Sequence, residues 1–477
     1  MIIGDYWFIW HRPDSFPKLN PTTFYFIIFV FIAFCLCRLF GARLRDFFLL
    51  IFNLLFLYSF GVYHLILLLV LSFITYLFGF LLNKYKNKLV LFISIIVPLL
   101  TLIFFKYQNL LNLKQSFLIP LGISFVSFKL ISYLADIYRN KIENEKNILY
   151  FLDYSLFFPT VMAGPIHRYQ EFKEVISKPQ AFEYRKCSNA GFLMMLGIFE
   201  KVVFCDFVAS FVSRLETGDG LYLIGAIVFY SLQIYLDFDA YSNIAIACAK
   251  LLGFDINKNF NSPYLAYNLK EFWRRWHISL STWFRDYVYI PLGGSRKGKL
   301  RQYFLVLLVF VLSGLWHGST LNFLIWGLLH GLIRIVEDII ELPFKNVKNK
   351  FLINFTHLLL IPFNFIIVTL LWQVFKNSDL NVLSDIFLRC QNIQRPSMYL
   401  LNETYGITRN EVLWLLFICV VVLISDILRN KWDMIYAYGK MFLPFRWLGY
   451  ALLIVLFLVF GVYGGNSEAA DFIYQFF

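Results

Sequence analysis

Residues 303–331 read YFLVLLVFVLSGLWHGSTLNFLIWGLLHG, two apolar runs with a short polar break between them. The break holds His317. An ionisable side chain at membrane depth is costly, so it tends to be kept only where it faces protein or water. The stretch therefore predicts two membrane helices with a candidate functional histidine between them.

The composition extends this interpretation to the whole chain. Of its 477 residues, 59% are hydrophobic, 20% are aromatic and only 15% are charged. A soluble domain averages about 45–50% apolar and about 25% charged residues. The 56 phenylalanines exceed what one globular core can bury. We therefore predict an all-α polytopic membrane protein.

Apolar windows of about 20 residues give roughly ten to twelve candidate spans. Two segments are poorly suited to a simple crossing. Residues 119–139 carry Lys129 and Asp136, and residues 158–172 contain two prolines and a glycine, which indicates a re-entrant or broken segment. The candidate spans are 22–37, 47–62, 63–82, 89–105, 117–134, 150–163, 190–213, 221–252, 303–340 (two helices), 354–375, 411–428 and 443–463.

The net charge of +13 is expected in loops and at membrane interfaces, where it attracts anionic headgroups. Nucleic acid is a poor partner, because no soluble basic domain is present to hold it. The last basic residue is Arg446, and the positive-inside rule then places Arg446 in the cytoplasm and the C-terminal tail outside. The seven cysteines show no paired metal-ligand spacing, so no metal site is predicted.

Residues 259–299 form the richest polar stretch of the chain. Apolar residues recur there at intervals of three and four, which predicts one amphipathic helix lying in the membrane interface. Arg274, Arg275 and Arg285 lie within it. They could anchor the helix to phospholipid headgroups or bind the phosphates of a donor, since a guanidinium matches phosphate geometry. Both interpretations stay open.

Two histidines are candidate catalytic residues. His277 shares a predicted helical face with Trp273 and Ser281, and alone it could equally be an interfacial hydrogen-bonding residue. His317 has glycines three residues before it and one after, which could let another group approach the imidazole closely. An imidazole with an ordinary pKa of about 6.5 suits proton transfer.

Asp237 and Asp239 lie in the middle of another apolar run. They are two residues apart, so they do not share a helical face. Carboxylates at this depth imply a polar interior. Pairing with an arginine of the 270s and a direct functional role both remain open.

These segments together resemble the membrane-bound O-acyltransferases, and within them the bacterial cell-surface branch of alginate and peptidoglycan O-acetyltransferase membrane subunits. The resemblance covers roughly residues 119–335, within one polytopic domain that spans residues 1–477. It is carried by the segments PLGISFVSFKLISYLADIYR, FFPTVMAGPIHRYQEF, IYLDFDAYSNIAI, FWRRWHISLSTWFRDYVYIPLGGSRKGK and LSGLWHGSTLNFLIWGLLHG. One departure is that Asp239 stands where the family commonly has serine.

The resemblance implies a ring of tilted helices, with re-entrant and interfacial helices, around a central tunnel. It implies that His317 is the catalytic histidine and His277 the second functional one. A thioester donor, expected to be acetyl-CoA rather than a permanently bound cofactor, would enter from the cytoplasm. The acetyl group would leave outside, towards a cell-envelope polysaccharide and an SGNH-type extracellular partner. This places the protein in the bacterial inner (plasma) membrane.

The resemblance leaves the acceptor open. Peptidoglycan is the favoured acceptor, and alginate, another exopolysaccharide and D-alanyl transfer to teichoic acid are alternatives. From the residues alone, a transporter that uses Asp237 and Asp239 as coupling groups is a second class of function, although the chain shows no internal repeat. A non-catalytic scaffold for an extracellular enzyme is a third.

The tail, residues 464–477, ends in DFIYQFF. An aromatic terminus is expected to dock on apolar protein or on the bilayer surface. By resemblance, Tyr474 is instead a candidate third catalytic residue that carries the acyl group outward as an aryl ester. An aryl ester is activated towards a serine nucleophile.

Overall fold

The computed structural model describes residues 17–40, 42–108, 117–178, 182–341, 349–393, 397–461 and 472, without the side chains of 42, 43 and 350. Within these ranges the chain is helical and contains no β-strand. Contacts divide it into two compact units. The first comprises the described residues up to 198 together with 241–258, and the second comprises residues 199–240 and the described residues from 259 onward. The predicted all-α polytopic class is confirmed.

The first unit contains the N-terminal helices. One of them, α5, is a 16-residue helix whose length of about 24 Å is short for a crossing. Its residues 123–137 are buried on all sides, so it is an interior helix. The helices are α1 (Phe24–Leu39), α2 (Ala42–Tyr58), α3 (Val62–Tyr85), α4 (Lys88–Tyr107), α5 (Ile123–Tyr138), α6 (Ile148–Ser155), α7 (Phe158–Val161), α8 (Tyr169–Ile176) and α9 (Tyr184–Phe199).

The segment that follows α5 shows why apolar windows overcount spans. A single crossing over 150–163 is wrong, because α6 ends at Ser155 and the four-residue α7 begins only at Phe158. Asn53 fixes this break by donating to Asp153 Oδ1 (2.9 Å) and accepting from the Phe158 amide (2.8 Å). The prediction that 158–172 is a broken segment packed against protein is confirmed.

The second unit begins with a π-helical turn, Glu200–Cys205, and contains the remaining helices. α11 contributes residues 220–240 to this unit and its later residues to the first. The helices are α10 (Asp206–Leu215), α11 (Gly220–Leu251), α12 (Leu269–Arg275), α13 (Ile278–Phe284), α14 (Lys299–His317), α15 (Leu321–Glu341), α16 (Lys350–Lys376), α17 (Leu380–Gln391), α18 (Met398–Tyr405), α19 (Arg409–Arg429), α20 (Met434–Lys440) and α21 (Leu443–Phe460).

Seven described helices are long and apolar enough to cross a membrane: α3, α4, α11, α14, α16, α19 and α21. Their large apolar side chains are widely exposed, and in α21 only Arg446 is buried. Water would not favour such surfaces, so they are suited to lipid contact. The chain is a multi-pass membrane protein.

The two helices predicted over residues 303–340 are confirmed as α14 and α15. They are separated by an extended turn from Gly318 to Thr320 and pack closely against each other. A Cβ atom at Gly327 would lie 2.4 Å from the Phe310 carbonyl oxygen, so only glycine permits this approach. The close packing fixes the end of α14, where His317 lies.

Candidate functional site

His317 is the last residue of α14 and is buried, with 3% of its surface exposed. Its ring meets Trp326 of α15 and Phe375 of α16 edge-on, with centroids 5.3 and 5.1 Å away. These rings exclude water from two sides of the imidazole. A proton transfer at His317 would therefore take place in surroundings of low dielectric constant, where charges interact strongly.

The glycines around His317 have a different role from the one predicted. A Cβ atom at Gly314 would lie 2.2 Å from the Phe323 carbonyl oxygen, and one at Gly318 would lie 2.2 Å from the Phe323 ring. The space that was expected to admit another group to the imidazole is thus occupied by α15. The glycines allow α15 to pack against the end of α14 and so hold His317 in place.

The predicted continuous helix through residues 269–287 is wrong. α12 ends at Arg275, Trp276 is extended, and His277 has left-handed backbone angles of φ 43° and ψ 53° before α13 begins. His277 therefore shares no helical face with Trp273 or Ser281. A residue with a Cβ atom in this conformation is strained by about 1–3 kcal/mol and persists only when its surroundings enforce it. Such strain marks a site at which the position of one side chain matters.

Asn259 enforces this conformation, and sequence reasoning missed it. Its Oδ1 accepts hydrogen bonds from the Ser279 amide (3.2 Å) and the Ser279 hydroxyl (2.9 Å), and it lies 3.2 Å from His277 Nδ1. The Asn259 carbonyl oxygen also accepts from the Ile278 amide (2.9 Å). Asn259 thus clamps His277 and the first two residues of α13.

The same contacts assign the tautomer of His277. An amide N–H can only donate, so the Asn259 atom that it contacts must be the carbonyl oxygen. That oxygen in turn requires a proton on His277 Nδ1, which leaves the lone pair of the neutral ring on Nε2. His277 lies outside the seven long apolar helices, and burial lowers its pKa to about 3. The ring is therefore neutral near pH 7 and able to accept a hydrogen bond.

Trp316 connects the two candidate histidines. Its ring centroid lies 6.2 Å from that of His277 and 4.8 Å from that of His317. Phe238 covers His277 edge-on at 4.8 Å. The structure thus brings both predicted histidines into contact with one tryptophan, within a buried aromatic environment.

A third histidine lies beside this pair and was not singled out from the sequence. His330 of α15 is fully buried, and its Nδ1 accepts a hydrogen bond from Trp273 Nε1 at 3.2 Å. Trp326 contacts both His317 and His330, with centroids 5.3 and 4.6 Å away. A histidine inside the second apolar run of residues 303–331 was the signal available for finding it.

The three arginines predicted to bind donor phosphates occupy unequal positions. The Arg274 side chain is 71% exposed and bonds only one described partner, Glu271, at 3.1 Å. Arg275 is 16% exposed and is tied to both Glu271 and Asn430 at 2.9 Å. The Arg285 side chain is 58% exposed beside an aspartate of its own π-helical turn. Arg274 and Arg285 are accessible to a phosphate, whereas Arg275 supports the packing of α12.

The carboxylates of α11 do not pair with an arginine of the 270s. Asp237 Oδ1 lies 2.8 Å from Lys201 Nζ, and Asp239 pairs with Arg429 of α19. The two side chains point to different partners, as their spacing predicted. Each buried charge is thus met by an opposite one, which accounts for both carboxylates without assigning them a transport role. The unusual Asp239 of this chain has a basic partner of its own.

Tyr474 lies outside the described residues, so its position relative to the histidines stays a prediction. Phe472, two residues earlier, is described and buried.

Comparison with known proteins matches the chain to a family. The model of the membrane-bound O-acyltransferase family matches residues 52–375, a range that includes His277, His317, Trp316 and Asn259. The chain is 35% identical over 273 residues to a probable alginate O-acetylase of Pseudomonas fluorescens, covering 55% of this chain and 52% of that protein. It is 36% identical over 294 residues to a peptidoglycan O-acetyltransferase of Helicobacter pylori, covering 54% of each.

A teichoic acid D-alanyltransferase of Bacillus subtilis is 29% identical over 247 residues, covering 48% of this chain and 61% of that protein. The chain spans about half the length of the two O-acetyl-transferring relatives that it matches.

Proposed function

Because the chain belongs to the membrane-bound O-acyltransferase family, we propose that it transfers acetyl from a cytoplasmic thioester across the membrane for O-acetylation of a cell-envelope polysaccharide. The observation that carries this proposal is the contact of Trp316 with both His277 and His317 inside a buried aromatic environment. Two imidazoles in such a place suit proton transfer and hydrogen bonding to bound substrates. The bacterial inner (plasma) membrane is the proposed location.

In the proposed reaction His317 is the general base. It takes the proton of an acceptor hydroxyl as the hydroxyl oxygen attacks the thioester carbonyl carbon. The carbon–sulfur bond then breaks, and the thiolate leaves with the proton from the His317 imidazolium. The products are an acetyl ester and a free thiol. His277, whose lone pair is on Nε2, is proposed to accept a hydrogen bond from a different N–H or O–H group of the bound thioester or acceptor and so orient it.

The proposed donor is acetyl-CoA, a substrate rather than a resident cofactor. Arg274 and Arg285 are accessible guanidinium groups that suit its phosphates. Acetyl is favoured over D-alanine, because identity is 35–36% to the O-acetyl-transferring relatives and 29% to the D-alanyltransferase. Peptidoglycan is the proposed acceptor. Alginate is the second candidate, since the identities to the two types of relative are nearly equal.

Tyr474 is proposed to carry the acetyl group as an aryl ester to an SGNH-type extracellular enzyme. Tyr474→Phe should leave thioester binding intact and abolish acetylation of the polymer, because only the phenol oxygen is removed. Polymer acetate is measured after mild alkaline release from the cell envelope. Normal acetylation by that variant would show that acetyl leaves by direct transfer to another hydroxyl.

The activity is tested with purified protein in lipid nanodiscs and acetyl-CoA, by measuring the release of free thiol. His317→Ala should abolish release. His357→Ala is a matched control, because His357 stacks on Tyr267 and is a half-exposed histidine of α16. A folded His317→Ala protein that releases thiol at the parent rate would contradict the proposed mechanism.

Accumulation of a polymer or acyl carrier in sealed vesicles without thioester cleavage would favour a transporter.

A further inference from the structure

A buried cluster of charges lies in the second unit and takes no part in the proposed reaction. Lys201 Nζ lies 2.9 Å from Asp206 Oδ1 and 2.8 Å from Asp237 Oδ1. The three side chains are only 2–5% exposed. Burying an ammonium between two carboxylates carries a large desolvation cost, and ionisable groups inside membrane proteins are commonly functional.

The π-helical turn Glu200–Cys205 makes this cluster possible. In an α-helix, residues five apart lie about 140° apart around the axis, at 3.6 residues per turn. A π-turn, with bonds between residues five apart, places Lys201 and Asp206 on the same side. π-turns interrupt regular helices and occur frequently at functional sites. The local irregularity therefore serves to direct Lys201 and Asp206 at each other.

The ammonium has a third contact, with the C-terminal segment. Lys201 Nζ lies 4.9 Å from the centroid of the Phe472 ring, within the range of a cation–π interaction. Phe472 is 3% exposed, so this contact is shielded from water. Cation–π contacts are strongest when desolvated. Asp206 and Asp237 hold the ammonium in place, and the Phe472 ring contacts it as well.

We propose that Lys201, Asp206, Asp237 and Phe472 form a tail anchor, in which Lys201 is a positioning residue that holds Phe472 in place. The backbone from Phe472 to Tyr474 spans at most about 7 Å when extended. An anchored Phe472 therefore limits where the Tyr474 hydroxyl can react. This last consequence rests on the proposed function, whereas the anchor itself does not.

The anchor is tested by hydrogen–deuterium exchange of the full-length protein in nanodiscs, followed in the peptide that carries Phe472. Lys201→Met removes the cation and Phe472→Leu removes the ring while leaving the Lys201–carboxylate pairs intact. Each substitution should raise the hydrogen-exchange rate of the residue 472 amide about tenfold, as expected for loss of a desolvated cation–π contact. The double variant should exchange like either single variant, because both changes remove the same contact.

Two conservative variants should retain the parent's protection from exchange at residue 472, because Lys201→Arg keeps a cation and Phe472→Trp keeps an aromatic ring. Lys129→Met is the matched control. Lys129 is a fully buried lysine of α5 that donates to Thr160 Oγ1 at 3.0 Å, and its loss should leave exchange at Phe472 unchanged. If Lys201→Met does not fold, Phe472→Leu alone carries the test.

Unchanged exchange at Phe472 in Phe472→Leu, or failure of Lys201→Arg to protect it, would overturn the anchor. A rise spread equally over α10, α11 and the Phe472 peptide would also overturn it, because it would mean that Lys201 only supports folding. Acetyl transfer separates the two proposals. Release of the tail with normal polymer acetylation would support the anchor and show that transfer does not depend on it, whereas Tyr474→Phe tests the carrier itself.

Discussion

Asn259→Ala tests the clamp that holds His277. The substitution removes the Oδ1 atom that accepts from Ser279 N, Ser279 Oγ and His277 Nδ1, at 3.2, 2.9 and 3.2 Å. At about 0.5–1.5 kcal/mol for each hydrogen bond, the folded state should lose about 1.5–4.5 kcal/mol. The backbone bond from the Ile278 amide to the residue 259 carbonyl oxygen should remain.

Thiol release by Asn259→Ala should fall by more than the loss of folded protein alone would cause. Without Oδ1 the proton of His277 is no longer directed to Nδ1, so the ring can present a protonated nitrogen where a hydrogen-bond acceptor is needed to orient the substrate. We expect thiol release from acetyl-CoA to fall about 100-fold, within the range for loss of a positioned acid–base group. Asn261→Ala is the matched control, because that side chain is exposed two residues away.

Thermal unfolding in nanodiscs and thiol release are measured on the same preparations. Asn259→Asp is a companion variant, since a carboxylate can accept the same three bonds and should keep the fold. Its charge beside Nδ1 should raise the pKa of His277 and make thiol release decline at acidic pH. A fully active and fully stable Asn259→Ala protein would refute the account of how His277 is positioned.

Three further changes have expected outcomes. Gly314→Ala should lower the unfolding temperature, because its Cβ atom would lie 2.2 Å from the Phe323 carbonyl oxygen. Gly225→Ala is the control and should not lower it, because the nearest atom to its Cβ is 3.5 Å away. Equal unfolding temperatures for the two variants would contradict this. Replacing Arg274 and Arg285 together with Gln should raise the KM for acetyl-CoA and spare assembly, whereas loss of membrane insertion would make them topological anchors. His277→Gln should flatten the pH dependence of stability between about pH 6.5 and 3. In that window the unfolded histidine binds a proton that the folded one, with its pKa lowered to about 3, does not, so the parent protein loses stability as the pH is lowered from about 6.5 to 3. An unchanged slope in His277→Gln would contradict this.

The sequence predicted best where a local pattern determines the structure. The apolar runs of residues 303–331 and their polar break became α14, α15 and the turn between them, because each run is apolar enough to form one membrane helix. The prolines and the glycine of residues 158–172 indicated a broken segment for an equally local reason, although the hydrogen bonds that fix its start come from the distant Asn53. The same pattern singled out His317 as a candidate, and its catalytic role stays a prediction.

Contacts between distant residues were not predictable in this way. The three- and four-residue spacing of 269–287 continues across the break, because α12 and α13 each bury apolar residues, so periodicity does not reveal the left-handed His277. Its clamp comes from Asn259, 18 residues earlier. The partners of Asp237 and Asp239 lie 36 and 190 residues away. Nothing local to α11 distinguishes those partners from an arginine of the 270s.

The central claim is that acetyl passes through the His317 site to a cell-envelope polymer. It is tested most directly by replacing the chromosomal gene with one encoding His317→Ala and measuring ester-linked acetate released by mild alkali from purified peptidoglycan. The membrane level of the protein is checked in the same cells. The account predicts that acetate is lost with His317→Ala and retained with His357→Ala. Parental acetate in the presence of a folded His317→Ala protein would contradict it.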